Sequence, residues 1–181
     1  IELINNVLKI SKLKIDDSFV KEEVDIAPIL ARAIKSAKVN AEAKGVKLAL
    51  INNRKEKRKI EGDPLLIQIA LSNILSNAIK YNNMDGVVEI TVDEEKDNLI
   101  IKVCDSGVGI PKEEIDKIFT DFFRASNIKH SGLEGSGLGL SVVKQIVERH
   151  RGTINVQSPS HLSTSKYPGT SVKITLPFLK K

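Results

Sequence analysis

The sequence predicts an α+β domain, a two-layer sandwich in which a mixed sheet is covered on one face by helices. Three observations predict it. VVEITVD (87–93) and LIIKVCD (99–105) are neighbouring strand patterns, and the second is apolar on both faces, as a central strand must be. Helical and strand patterns mix along the chain without a regular β-α-β alternation. The 181 residues, 41% hydrophobic and 28% charged, suffice for one buried core and exclude a disordered or collagen-like chain.

Each element follows from local pattern. Ile1, Ile4, Leu8 and Ile15 form the seam of a helix that packs against other helices, interrupted at Ser11 and ending near Asp16 and Asp17. So short a helix is marginal alone and reads as the stub of a bundle helix, which divides the chain into a stub over 1–19 and a domain over 20–181. Ile29, Leu30, Ala33, Ile34, Ala37 and Ala41 recur with helical period between Pro28 and Gly45. VKLALI (46–51) alternates as a strand, NNRKEKRK is a charged turn, and KIEG is a short edge strand. Asp63 caps a helix with Pro64 at its first position, apolar over much of its girth and therefore central. EEKDN turns one long strand into the next, Pro111 starts a brief helix through Phe119, and 125–136 is irregular. LGLSVVKQIVERH is a further amphipathic helix, and TINVQ and SVKITLP close the chain as strands.

Composition narrows the function classes. Lys plus Arg is 28 against 23 Asp plus Glu, and this excess of five positive charges, spread over the chain, is too thin to predict nucleic-acid binding. A single cysteine, Cys104, forbids an internal disulfide, and three histidines make a multi-ligand zinc site unexpected, so the chain reads as intracellular. There is no run of 18 apolar residues, and the start at Ile1 without a leader pattern reads as a piece of a longer protein, which could itself be a membrane protein.

Glycine carries the chemical argument. Of 11 glycines, six (Gly107, Gly109, Gly132, Gly135, Gly137, Gly139) fall between 107 and 139, either as a mobile surface loop or where a ligand meets backbone. The familiar phosphate motifs are absent: there is no GxxxxGK[ST], and GSGLGL lacks the final glycine of a dinucleotide fingerprint. EGSGLGLSVV instead runs glycines straight into a helix, whose first unpaired N–H groups, around Gly137, Leu138, Gly139 and Leu140, suit an anion. In DSGVGI, Asp105 ends the buried strand, where its carboxylate either forms a turn or accepts from a ligand amino group. LSNILSNAIKY puts Asn73 and Asn77 on one face of a mostly apolar helix, with Lys80 and Tyr81 one turn on. Such amides are either hydrogen-bonded or line a cavity.

In order, LSNILSNAIKY, DSGVGI, IFTDFFR and GSGLGL resemble the N, G1, F and G2 boxes of the sensor histidine kinase catalytic domain, a member of the Bergerat-fold ATPases. The resemblance covers about residues 20–178, and ISKLK resembles the end of the dimerisation and phosphoacceptor helix that precedes this domain in the family. It implies ATP and a magnesium ion as cofactors. Asp105 would accept from the adenine amino group, with Gly107, Gly109 and Ile110 beside the base. Asn77 would offer its carboxamide oxygen to magnesium, Lys80 would meet phosphate as a point charge, and Arg124 would reach the terminal phosphate. Asn73, Tyr81, Gly135, Gly137, Leu138, Gly139 and Leu140 would complete the nucleotide site, and 125–136 would be its lid.

One position separates kinase from hydrolase. In the topoisomerase, mismatch-repair and chaperone relatives, a glutamate four residues before the magnesium asparagine activates water; here that residue is Asn73, whose carboxamide takes no proton. With Asn73, Lys80 and Arg124 as its catalytic residues, the resemblance implies transfer of the γ-phosphoryl group to a histidine on a dimerisation domain. It also implies a homodimeric full-length protein, a response regulator as partner, and a cytoplasmic domain that a membrane-bound sensor could carry. A serine kinase or ATPase of the same fold, and a module that binds nucleotide only for regulation, are the alternatives. The chain departs from the family in having Arg151–Gly152 for a Gly-Gly pair, Asp121 and Phe123 for Pro and Tyr, and a longer loop between Ser158 and Pro168. Cys104 reads as a core residue, RKEKRK as the solvated tip of a hairpin, and His130 as an exposed loop histidine; Phe119, Phe122 and Phe123 read as lid packing.

Overall fold

Two aspartates open the two longest helices. In the computed structural model, which describes residues 20–129, 132–133 and 135–179, Asp25 accepts the Ala27 N–H at 3.0 Å and starts α1 (Ile26–Ala43). Asp63 accepts the amides of Leu65 and Leu66 and starts α2 (Pro64–Lys80). The first of these helices begins before the Pro28 expected to open it, because Pro28 falls within its first turn, where no intrahelical N–H bond is needed. The helical stub expected over 1–19 lies outside the described residues. A 3-10 turn (Lys112–Lys117) follows Pro111, and the stretch expected to be irregular contains a one-turn helix, α3 (Ser126–Lys129), whose Ser126 N–H is held by Glu114 at 2.8 Å.

The last helix, α4 (Gly139–Arg149), closes with Arg151 at φ 57°. Gly152 N–H reaches back to Val147 O and Arg151 N–H to Glu148 O, both at 2.9 Å, the paired bonds of a left-handed helix terminus. Arginine therefore holds a conformation that glycine adopts at lower cost.

The sheet has the order β2 (Lys47–Asn52), β4 (Val87–Glu95), β5 (Asn98–Asp105), β7 (Thr170–Pro177), β6 (Thr153–Gln157); β2 runs parallel to β4 and every other pair is antiparallel. The strand that reads as apolar on both faces, β5, is the central one. A separate ribbon pairs β1 (Glu22–Val24) with β3 (Ile60–Gly62). KIEG is thus a strand, but its partner at 22–24, three residues long, is too short to show alternation in sequence.

RKEKRK is not a hairpin tip. It connects β2 to β3, strands of different sheets, and its first arginine is a buried tie. Arg54 lies 3.4 Å from Glu94 and 3.8 Å from Asp25, with its own side chain 5% exposed. Arg58 stacks 4.2 Å over the Phe178 ring and donates to Asp97 at 3.1 Å. A run of charge in sequence becomes, in space, the fastening of the β1–β3 ribbon to the β4–β5 hairpin.

Layering follows from the period of two. Val88, Ile90 and Val92, Leu99, Ile101 and Val103, and Val172, Ile174 and Leu176 face the helices and are buried with Ile29, Leu71, Ile74, Leu75, Val143 and Ile146. The second helix packs between α1 and α4, which explains why it is apolar over most of its girth. On the opposite face Cys104 is buried with its Sγ 3.4 Å from the Ser171 hydroxyl, a core position, and burial pushes its thiol pKa up. Among the described residues no helix is long and apolar enough to cross a membrane.

Candidate functional site

A cavity opens between α2 and the ends of β5 and β7. Val103, Asp105, Thr170 and Val172 form its floor; Ile74, Asn77, Ala78 and Tyr81 form the helix wall; Gly109, Ile110, Ala125, Asn127, Ile128 and Leu140 close the rest. Six of the residues expected at the site from sequence, Asn77, Tyr81, Asp105, Gly109, Ile110 and Leu140, line this one cavity.

Among the described residues Asp105 is its one carboxylate. The side chain is buried, and Oδ1 accepts the amides of Gly107 at 2.9 Å and Thr170 at 3.1 Å, which leaves Oδ2 for a ligand donor. Burial outweighs these two bonds and pushes its pKa from 3.8 to about 6. A partly desolvated carboxylate among apolar walls suits a planar, hydrophobic ligand that presents one N–H donor.

The opposite end of the cavity is polar. An added Cβ on Gly139 would lie 3.4 Å from Asn77 Nδ2 and 3.8 Å from Asn73 Oδ1, so the glycine-led start of α4 meets the amide face of α2. The first-turn amides of α4 have no carbonyl four residues back within the helix, and no side chain caps them. Asn73 Nδ2 is turned back onto Ile69 O at 3.1 Å. Asn77 is half-buried and, among the described residues, no protein hydrogen bond holds its carboxamide. Gly135 sits over Lys80 and Tyr81: a Cβ there would lie 3.0 Å from Lys80 Nζ and 3.2 Å from the Tyr81 hydroxyl.

Four expected site residues have other surroundings. Arg124 directs its guanidinium to the carbonyls of Ile128 and Leu133, and its buried Nε has no partner among the described residues. Gly107 is glycine because a Cβ would come within 2.3 Å of Tyr81 O, where Val108 N–H docks at 3.1 Å. Gly137, at φ +71°, lies against the backbone of Phe122 and Phe123, which ties the glycine run to this aromatic segment. Leu138 is buried beneath the start of α4, and His130 lies outside the described residues.

Sequence reasoning missed three positions. Thr170 faces Asp105 across the β5–β7 ladder, a register that no local pattern shows. Asn82 is buried, donates to Val87 O at 3.1 Å and accepts from the Ser106 hydroxyl at 3.1 Å, joining the end of α2 to the end of β5. Asparagine after the run of site residues was the signal that could have found it. Lys44 Nζ donates to Ile79 O at 3.2 Å and Lys80 O at 2.7 Å, closing the turn that carries Lys80. Burial lowers the Lys44 pKa.

Comparison with known proteins agrees with this geometry. Residues 62–180 match the family model described as histidine kinase-, DNA gyrase B- and HSP90-like ATPase. The sensor histidine kinase WalK of Bacillus subtilis (strain 168) is 33% identical over 182 residues, 98% of this chain and 28% of that protein. The sensor-like histidine kinase SenX3 of Mycobacterium bovis is 34% identical over 154 residues, 85% of this chain and 35% of that protein. The chain therefore spans about a third or less of these relatives. Among solved structures, the mycobacterial sensor histidine kinase MprB superposes with a TM-score of 0.75 at 26% identity, covering 88% of this chain and 100% of that one. Full-length ShkA in complex with AMPPNP shares the fold with a TM-score of 0.79 at 23% identity, covering 99% of this chain and 36% of that one. With two thirds of its length matched by the family model and an α+β sandwich to go with it, the chain belongs to the histidine kinase-, DNA gyrase B- and HSP90-like ATPases.

Proposed function

We propose that this chain is the catalytic, ATP-binding part of a two-component sensor histidine kinase, and that it transfers the γ-phosphoryl group of Mg-ATP to a histidine on a dimerisation domain. The observation that carries the reading is the distribution of acid in the cavity. Among the described residues its one carboxylate, Asp105, lies at the apolar end that suits adenine, while the polar end offers amides and a lysine but no carboxylate to activate water. Asn73, with its Nδ2 engaged by Ile69 O, cannot take a proton. Family membership makes ATP the ligand class, and kinase rather than hydrolase chemistry follows from Asn73.

The roles follow from placement. Asp105 Oδ2 accepts from the adenine amino group, and the first-turn amides of α4 and Lys80 Nζ receive the phosphates. A divalent ion fits at Asn77: an unpartnered carboxamide oxygen is a hard donor, and no group of three His, Cys, Asp or Glu among the described residues offers a protein cage. Asn77 would supply one ligand to magnesium and the phosphates and water the others. Bound there, the ion would neutralise charge on the transferring phosphoryl group. Arg124 must leave the lid carbonyls to meet the terminal phosphate. The dimerisation helix over 1–19, the response regulator and a homodimeric parent belong to the same proposal. The kinase ThkA, whose fold this chain shares with a TM-score of 0.77 at 21% identity, was solved in complex with a response regulator.

Incubation with γ-labelled ATP tests it. None of the three histidines is followed by the acidic residue of a phosphoacceptor helix: His130 precedes Ser131, His150 precedes Arg151 and His161 precedes Leu162. The chain alone should stay unlabelled, and a dimerisation and phosphoacceptor domain added in trans should acquire label that is acid-labile and base-stable. Steady phosphate release without an acceptor would favour an ATPase, and label on serine or threonine of the chain would overturn the assignment.

A further inference from the structure

The connection between β6 and β7 is longer than the resemblance leads one to expect; its tip over 163–166 is exposed, but Ser160 and Gly169 at its base are buried. It folds onto the face of the sheet opposite the helices, where His161 Nε2 lies 2.9 Å from Glu89 Oε1 on β4. Two serines then tie it to the cavity. Ser160 is buried; its hydroxyl donates to Asp105 O at 2.8 Å, and its N–H closes the loop on Pro168 O at 2.9 Å. The Ser158 hydroxyl donates to Gly169 O at 2.8 Å and accepts the Ile110 N–H at 3.1 Å.

These bonds join three walls that otherwise belong to distant parts of the chain. Ser158 links the turn carrying Gly109 and Ile110 to the residue before Thr170, and Ser160 links the loop to the strand end carrying Asp105. Thr170 N–H in turn holds Asp105 Oδ1 at 3.1 Å. Gly109 packs directly on the loop, where an added Cβ would come within 2.5 Å of Pro168 Cγ. Loss of the Ser158 hydroxyl would leave the Ile110 amide unpaired and free the wall that faces Asp105.

We infer that the loop over 158–168 is part of the adenine end of the site, with Ser158 and Ser160 as positioning residues that fix the walls around Asp105 and so set its discrimination between purines. The inference rests on the reading that Asp105 accepts from adenine. Because hydrogen-bond recognition depends on sub-ångström placement, a loosened wall loses selectivity for the base before it loses affinity for the phosphates.

Dissociation constants for ATP and GTP, measured by competition with a fluorescent adenine nucleotide, read this out. Ser158→Ala should lower the ATP-over-GTP preference by about tenfold, the worth of one buried hydrogen bond, and Ser158→Thr, which keeps the hydroxyl, should restore it. Ser160→Ala carries the same test if Ser158→Ala does not melt cooperatively. An equal loss for both nucleotides, or none, means a structural loop only and overturns the inference. Asp105→Asn in the same titration separates the two levels. If it keeps the preference, the adenine reading falls and the inference with it; if it loses the preference while the serine variants keep it, the inference alone falls.

Discussion

The backbone N–H of Asp63 donates to Nε2 of His150 at 2.9 Å, across 87 positions of sequence, and Nδ1 of the same ring lies 2.7 Å from Ile146 O. For Nε2 to accept, the proton must sit on Nδ1, so the buried ring is neutral and joins the end of α4 to the start of α2. Gly62 makes room for it, since a Cβ there would lie 2.3 Å from the ring.

Burial holds the His150 pKa below its ordinary 6.5. The unfolded chain therefore takes up a proton that the folded chain refuses, and the stability tied to this ring is full above pH 6.5 and lost as pH falls toward the lowered folded value. Thermal melts should show a weaker fold on acidification through that window. His150→Gln should cost on the order of 2 kcal/mol at neutral pH and flatten this part of the profile. An unchanged slope in the variant would assign the acid sensitivity elsewhere.

Asp105 acts in the opposite sense. Its folded pKa of about 6 lies above 3.8, so the folded state binds the extra proton between those values and ionisation burdens the fold above them. Asp105→Asn should leave stability at neutral pH equal or higher, while adenine-nucleotide affinity falls about thirtyfold, on the order of 2 kcal/mol. In the wild type, ADP binding should weaken as pH drops below about 6, where the acceptor becomes a carboxylic acid. Calorimetric titrations of both proteins across that range check the pair of outcomes; unchanged ADP affinity in the variant contradicts them.

Asn77→Ala should lose more affinity for ATP with magnesium present than in EDTA, because the unpartnered carboxamide is assigned to the ion and not to the fold. Isothermal titration in both conditions decides it. Equal losses would make Asn77 a structural amide.

Arg151→Gly should raise stability by about 0.5–1 kcal/mol, the relief of a left-handed residue less the added freedom of the unfolded chain. Arg151 is exposed and sits at φ 57°, so little packing is lost. Urea unfolding with an unaltered slope and a higher midpoint is the expected result. A lower midpoint would mean that the arginine side chain contributes more than its backbone strain costs.

Much of the site was legible because its chemistry is written in short local strings. Asn73 and Asn77 share a helix face by the 3.6-residue period, and the glycines before α4 announce a helix start without a side-chain cap. Arg124 was less legible: its charge is evident, but the carbonyls of Ile128 and Leu133 that hold it belong to a stretch whose path no periodicity encodes.

The sequence by itself determined the fold class, the central strand, the central helix and the order of the boxes, since each depends on periodicity, capping or composition within a few residues. Only the tertiary structure decided what crosses the sheet or closes a long span of chain. Thr170 meets Asp105 through strand register, Lys44 closes the last turn of α2 from the end of α1, and Arg54 is buried between Asp25 and Glu94. Ser160 reaches the carbonyl of Asp105 from 55 residues away. The physical reason is that a hydrogen bond or an ion pair has a range of a few ångströms in space and none along the chain, so its partners become definite only when burial of the apolar faces has fixed the layers.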